Sequence, residues 1–260
     1  MSDAWRSMLT GEDLGLLRLR RLWRRVPAAP RCKVCAAPFH GAGGVVARVV
    51  GFGPTRDNAL LCKPCFGRLA KTPGGAEVEI SVLFADVRGS TALAERVPAA
   101  EFRTLLQAYY HLASAAIDEN GGIVDKFLGD GVMALFIPVI AGENHARRAI
   151  EAGTAVLGAV EGLAAKGLLV GAGVHAGEAF VGAIGGGDRV DFTALGDSVN
   201  VAARLGALAG PRELLVSRIA WDGAGLGEPP AVHEVAISGR TDGLAVVPLT
   251  PGAVISQPTD

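Results

Sequence analysis

From residue 76 onward, short apolar runs alternate with longer stretches in which apolar residues recur at helical spacing. Residues 79–85 predict a buried strand, and residues 99–119 a helix with Phe102, Leu105, Leu106, Tyr109, Leu112 and Ala116 on one face. Gly121-Gly122 stops that helix, and residues 123–127 and 132–137 predict two strands around a Gly129-Asp130-Gly131 turn. A second long helix is expected over residues 144–166, followed by a strand over 168–174. The order βαββαβ predicts an α+β sandwich with a ferredoxin-like core, its helices packed on one face of an antiparallel sheet. A helix over 198–208 and strands near 214–216, 231–237 and 244–247 extend it.

The first quarter of the chain reads differently. Across residues 12–26, Leu16, Leu19, Leu22, Trp23 and Val26 lie at helical spacing with arginines between them, which predicts a short basic amphipathic helix. Such a helix makes weak peripheral contact with an anionic membrane, or docks on its own chain or on a dimer mate. Pro27 and Pro30 end it, and the Thr-Pro-Gly-Gly run at 72–75 marks a boundary. The expected organisation is an N-terminal helix over 1–30, a cysteine module over 31–75, a catalytic-type domain over 76–250 and a tail over 251–260.

Composition narrows the possibilities. A chain of 260 residues, half of them apolar, buries one sizeable core and carries a small appended module. A net charge of −1 argues against wholesale nucleic-acid binding, and few aromatics are available to stack on bases. No apolar run approaches the about 20 residues that span a bilayer, and no secretory signal is evident, so a cytoplasmic location is expected. All four cysteines fall in two Cys-x-x-Cys pairs, Cys32/Cys35 and Cys62/Cys65. In a reducing compartment this spacing predicts one structural zinc held by four thiolates in a zinc-ribbon-like module. Disulfides and an iron centre are the alternatives for the same residues.

Two carboxylates stand where apolar runs break into glycine turns: Asp86 in Ile80-Ser-Val-Leu-Phe-Ala-Asp-Val-Arg-Gly-Ser-Thr91, and Asp130 in Val124-Asp-Lys-Phe-Leu-Gly-Asp-Gly131. Carboxylate oxygens suit hard divalent cations, and the helix opened by Gly89, Ser90 and Thr91 offers backbone N–H groups to a phosphate. These segments resemble the two metal-binding motifs of the class III nucleotidyl cyclases. A third stretch, Arg189-Val-Asp-Phe-Thr-Ala-Leu-Gly-Asp-Ser-Val-Asn-Val-Ala-Ala-Arg204, strengthens the resemblance, which covers residues 79–249.

The resemblance implies that Asp86, Asp130 and the Val87 carbonyl hold two Mg²⁺ or Mn²⁺ ions. It further implies that Asn200 orients the ribose and that Arg204 stabilises charge on the α-phosphate, the two lying four apart on one helix face. Base selection falls on Lys126 and Thr193, and a lysine there implies ATP in preference to GTP. In this family the metal carboxylates come from one subunit and Lys126, Thr193, Asn200 and Arg204 from the other, so a homodimer is expected. One departure stands out: where relatives carry a phosphate-binding Lys-Gly pair, this chain has Ser238-Gly-Arg240, leaving Arg240 for that task. The expected activity is formation of cyclic AMP and pyrophosphate from ATP. The competing reading is a nucleotide-binding regulator that uses its zinc module to contact a partner.

Overall fold

The computed structural model describes residues 2–26, 30–55, 61–71, 74–186, 189–237 and 243–251. They fall into two compact units, one of Met1–Val78 with Phe180–Ala194, the other of Glu79–Ala179 with Leu195–Asp260.

The first unit opens with four helices, α1 (Ser2–Thr10), α2 (Leu14–Arg24), α3 (Gly41–Val49) and α4 (Lys63–Lys71). Helix α1 was not foreseen; it buries Trp5, Met8 and Leu9, spaced for a single face. Helix α2 is shorter than the expected 12–26 and is capped by Asp13, whose carboxylate accepts from the Leu16 N–H at 3.0 Å. Its predicted apolar face holds at Trp23, which packs against Phe52 with ring centroids 5.7 Å apart. It fails at Leu22, which is 58% exposed, because the neighbouring face is taken by a buried arginine. Arg20 donates to the Lys33 carbonyl at 3.1 Å and to the Val34 carbonyl, so α2 rests on the first cysteine turn. Isolated bridges, Arg31 with Pro38 and Pro54 with Cys62, mark the two cysteine turns as in a ribbon, whereas α3 makes their connection helical.

The chain then runs through β1 (Gly74–Arg88), α5 (Ser90–Arg96), α6 (Ala99–Glu119), β2 (Ile123–Leu128), β3 (Gly131–Phe136), α7 (Pro138–Ala141), α8 (His145–Ala159), β4 (Leu169–Gly186), β5 (Arg189–Leu195), α9 (Asp197–Leu208), β6 (Leu214–Ser217), α10 (Arg218–Gly223), β7 (His233–Val235) and β8 (Leu244–Leu249). The sheet order β2-β3-β1-β4-β6-β8-β7, with β5 paired to β4, contains the ferredoxin-like core as its first four strands. The long helix expected over 144–166 ends at Ala159 and tightens into a 3₁₀ turn over Glu161–Lys166, where Gly158 and Gly162 weaken the α-helical repeat. Strand β7 keeps only three of the seven residues expected, as befits a sheet edge.

Strand alternation decides where the helices go. Leu83, Ala85 and Val87 of β1 and Leu214 and Val216 of β6 enter a core with Tyr109 and Ile117 of α6, Ile150 of α8 and Trp221 of α10. Residues of the other parity, Leu215 of β6 and Val246 of β8, pack with Val201 and Leu205 of α9. Helix α9 therefore covers the opposite sheet face, a departure from the one-faced packing expected. It sits there backbone on backbone. A Cβ at Gly173 of β4 would lie 2.2 Å from the Gly206 nitrogen, and one at Gly206 would lie 2.9 Å from the Phe84 Cβ.

Candidate active site and cysteine centre

Phe84, Asp86 and Arg88 share the parity of β1 that faces α9. The antiparallel register sets Asp86 opposite Gly131, and the tight turn between β2 and β3 places Asp130 beside it. Gly129 is left-handed at φ 64°, as this turn requires, and a Cβ at Gly131 would stand 3.1 Å from an Asp86 oxygen. The Val87 N–H donates to the Asp130 carbonyl at 3.3 Å, tying the strand end to the turn. The result is a cleft of about 170 Å³ lined by both carboxylates, Phe84, Gly131 and the small residues Ala203, Gly206 and Ala207 of α9.

Two tyrosines of α6 brace this arrangement. The buried Tyr109 hydroxyl donates to the Ala85 carbonyl at 2.8 Å, one residue before the first carboxylate. Tyr110 donates to the Gly129 carbonyl and packs on Phe127 at 4.4 Å between centroids. Helical spacing marked Tyr109 as an apolar-face residue; the signal that could have shown more was its hydroxyl, which a buried tyrosine must satisfy. Arg88 was also passed over, although it follows Asp86 by two residues and so lies on the same strand face. Its Nη2 donates to Asp86 at 2.7 Å.

The remaining expected residues take these places. Gly89, left-handed at φ 65°, leads from β1 into α5, whose first residues are Ser90 and Thr91. Lys126 on β2 is held by the buried Asp125, Nζ to carboxylate 3.3 Å. Thr193 is buried on β5 in the first unit. Asn200 is exposed and Arg204 half-buried, one turn apart on α9. Arg240 lies outside the described residues. Within one chain the structure thus joins Asp86 to Asp130 and to the α9 backbone.

The four cysteines converge. Their sulfur atoms lie within 4.8 Å of one another, with Cys35 and Cys62 at 3.5 Å, while the Cys62 N–H points to the Cys32 sulfur at 3.4 Å. Four thiolates at about 2.3 Å from a central ion need this spacing, so the donor set fits tetrahedral zinc. Ala36, left-handed at φ 63°, closes the first turn. Arg20 places a buried cation beside the thiols, and burial pushes its guanidinium down to about 10.

A model of the adenylate and guanylate cyclase catalytic domain matches residues 75–223. The chain belongs to this family. The chain is similar to the crystal structure of the guanylyl cyclase Cya2, at a TM-score of 0.63 and 26% identity over 67% of this chain and 93% of that one. It is likewise similar to the adenylyl cyclase CyaB from P. aeruginosa, at a TM-score of 0.59 and 28% identity over 65% of this chain and 92% of that one. In sequence it is 32% identical over 143 residues to an adenylate cyclase of Anabaena cylindrica, across 50% of this chain and 27% of that protein. The aligned region thus spans about a quarter of the length of that curated relative. Among the described residues, no helix is long and apolar enough to cross a membrane.

Burial, and after it the neighbouring Asp130 carboxylate, raises Asp86 above the ordinary carboxylate range, while Arg88 pulls it back. A group whose folded pKa is raised contributes stability that falls as pH rises from its unfolded value through its folded one. In the metal-free protein, carbon-13 NMR is expected to show Asp86 titrating above 3.8, and Asp130→Asn to lower that midpoint. A midpoint unmoved by Asp130→Asn would show that the two carboxylates do not repel one another.

Proposed function

We propose that the protein is an adenylate cyclase that closes ATP to 3′,5′-cyclic AMP with release of pyrophosphate. The observation that carries the reading is the convergence of Asp86, at the end of β1, and Asp130, in the β2–β3 turn, on one cleft. The two carboxylates and the Val87 carbonyl form an all-oxygen donor set suited to Mg²⁺ or Mn²⁺. Bound there, two such ions lower the pKa of the ribose 3′-hydroxyl and offset triphosphate charge.

The protein's own groups do the rest. Asn200 holds the ribose so that its 3′-oxygen lies in line with the α-phosphorus, and the Arg204 guanidinium donates two parallel hydrogen bonds to the oxygens on which charge develops. As the 3′-hydroxyl gives up its proton to solvent and its oxygen bonds to the α-phosphorus, the bond from that phosphorus to the oxygen bridging to the β-phosphate breaks and pyrophosphate departs. The start of α5 at Gly89, Ser90 and Thr91 offers backbone donors to phosphate, with Arg240 as a second cation. Lys126, fixed by Asp125, donates to the adenine ring, and Thr193 reads its exocyclic amine.

A homodimer with shared sites is supported by size. Ligand pockets commonly run to about 300–1,000 Å³, and the cleft of one chain, at about 170 Å³, accommodates only part of a nucleotide. One chain then supplies the carboxylates, and its partner supplies Lys126, Thr193, Asn200 and Arg204. GTP is the alternative substrate, favoured by the likeness to a guanylyl cyclase. Lys126→Glu removes the donor to adenine and supplies an acceptor for guanine, so the ratio of cyclic AMP to cyclic GMP formed should fall by about tenfold or more, the equivalent of one hydrogen bond of about 1.4 kcal/mol. An unchanged ratio would remove Lys126 from base selection.

The cysteine cluster is proposed to hold one structural zinc per chain. Elemental analysis of the purified protein should return one zinc per chain, and Cys62→Ser should lose it and melt the 30–71 segment to protease. Full protease resistance in a metal-free Cys62→Ser protein would show that the module stands without the ion.

A further inference from the structure

Arg88 makes more bonds than a surface arginine needs. Its Nη2 donates to the Asp86 carboxylate at 2.7 Å and its Nε to the Asp86 carbonyl at 3.3 Å. Its Nη1 donates to the carbonyls of Ala207 at 2.8 Å and Ala209 at 3.4 Å. The latter two lie at the C-terminal end of α9, where carbonyls have no partner within the helix. With 17% of its side chain exposed, the guanidinium is packed as a fixed link rather than a solvated charge. A planar fork can hold a carboxylate and a helix end at once; an ammonium group cannot reproduce that geometry.

What the link joins is the point. Asp86 lies at one end, and α9, which carries Asn200 and Arg204, lies at the other. The helix has little freedom to absorb a pull at its end, because Gly206 rests directly against Phe84 and Gly173. We propose that Arg88 is a positioning residue that couples the carboxylate cleft of a chain to the Asn200/Arg204 pair of the same chain. This rests on the shared-site reading given above. In such a dimer Asp86 of a chain serves one active site while its Arg204 serves the other, so Arg88 links the two sites. A cation taken up by Asp86 competes with the Arg88 hydrogen bond, and the change reaches Arg204 in the opposite site through the α9 carbonyls.

Hybrid dimers separate the two ends of the link. Full-length Arg204→Ala and Asp130→Ala chains, mixed, yield one intact site, with carboxylates from the first chain and Asn200 and Arg204 from the second; Asp86 remains in both. Arg88→Ala placed in the first chain should lower the half-saturating Mn²⁺ concentration, since a competing cation is gone, and spare kcat. Placed in the second chain it should cut kcat about 10- to 100-fold, the loss expected when a catalytic group shifts by about 1 Å, and leave the Mn²⁺ dependence alone. Arg88→Lys in the second chain should fail to rescue kcat, because charge without the fork does not hold the helix end.

An unchanged kcat with Arg88→Ala in the second chain overturns the proposal. So does a kcat loss of equal size from either chain together with a lowered Tm, which would make Arg88 a helix cap and nothing more. A silent parent hybrid would refute the shared-site reading instead, and amide exchange then decides the fate of Arg88. Mn²⁺ should alter exchange over residues 203–209 in the unmutated full-length protein and not in Arg88→Ala; no response in the unmutated protein overturns the coupling.

Discussion

Two carboxylates share one half-buried cleft, where burial first and the neighbouring charge second disfavour the ionised form of Asp86. Register makes their proximity unavoidable: Asp86 faces Gly131, and the turn that precedes Gly131 carries Asp130. Burial and the neighbouring charge favour the protonated form of Asp86, so its carboxylate is disfavoured in this cleft. Arg88 relieves it in part. A divalent cation held by both carboxylates would relieve it far better, since its charge would offset both and its coordination would use their lone pairs.

The fold keeps that cleft narrow by the way it places one helix. Much of the apolar surface of the sheet is covered by α6, α8 and α10, while α9 packs on the face of Phe84. Gly173 and Gly206 let the α9 backbone close on the sheet, and Ala203 and Ala207 keep side-chain bulk out of the cleft. Small residues on α9 are therefore a requirement of the site as well as of packing. The tyrosines of α6 act from the opposite side of the sheet, where Tyr109 fixes the backbone just before Asp86.

Much of this was legible in the sequence. The α6 boundaries were readable to the residue because its apolar stripe is long and glycines close it, and the carboxylates were readable because each interrupts an apolar run at a turn. Strand ends were not. Strand β1 runs from Gly74 to Arg88 instead of over 79–85: buried Ala76 and Val78 alternate with exposed Glu77 and Glu79, a period-2 pattern that carries the strand N-terminally past its continuous apolar run. Strand β4 continues to Gly186 past His175, Gly177 and Glu178, residues that end an apolar run without ending a strand that has a partner in β5. The burial of Arg20 in place of Leu22 was equally hidden, because its cause lies in the carbonyls of Lys33 and Val34, brought near only by the fold.

On the proposed function, the Asp86/Asp130 cleft serves cyclisation of ATP. Product analysis of the purified protein, incubated separately with ATP and GTP in the presence of Mn²⁺, tests it most directly, with Asp86→Ala as the control. Cyclic AMP from ATP, in excess over cyclic GMP from GTP and abolished by Asp86→Ala, is the predicted result. Cyclic AMP formation that survives in Asp86→Ala, or no cyclic nucleotide from either substrate with the full chain or with residues 76–260, would contradict it.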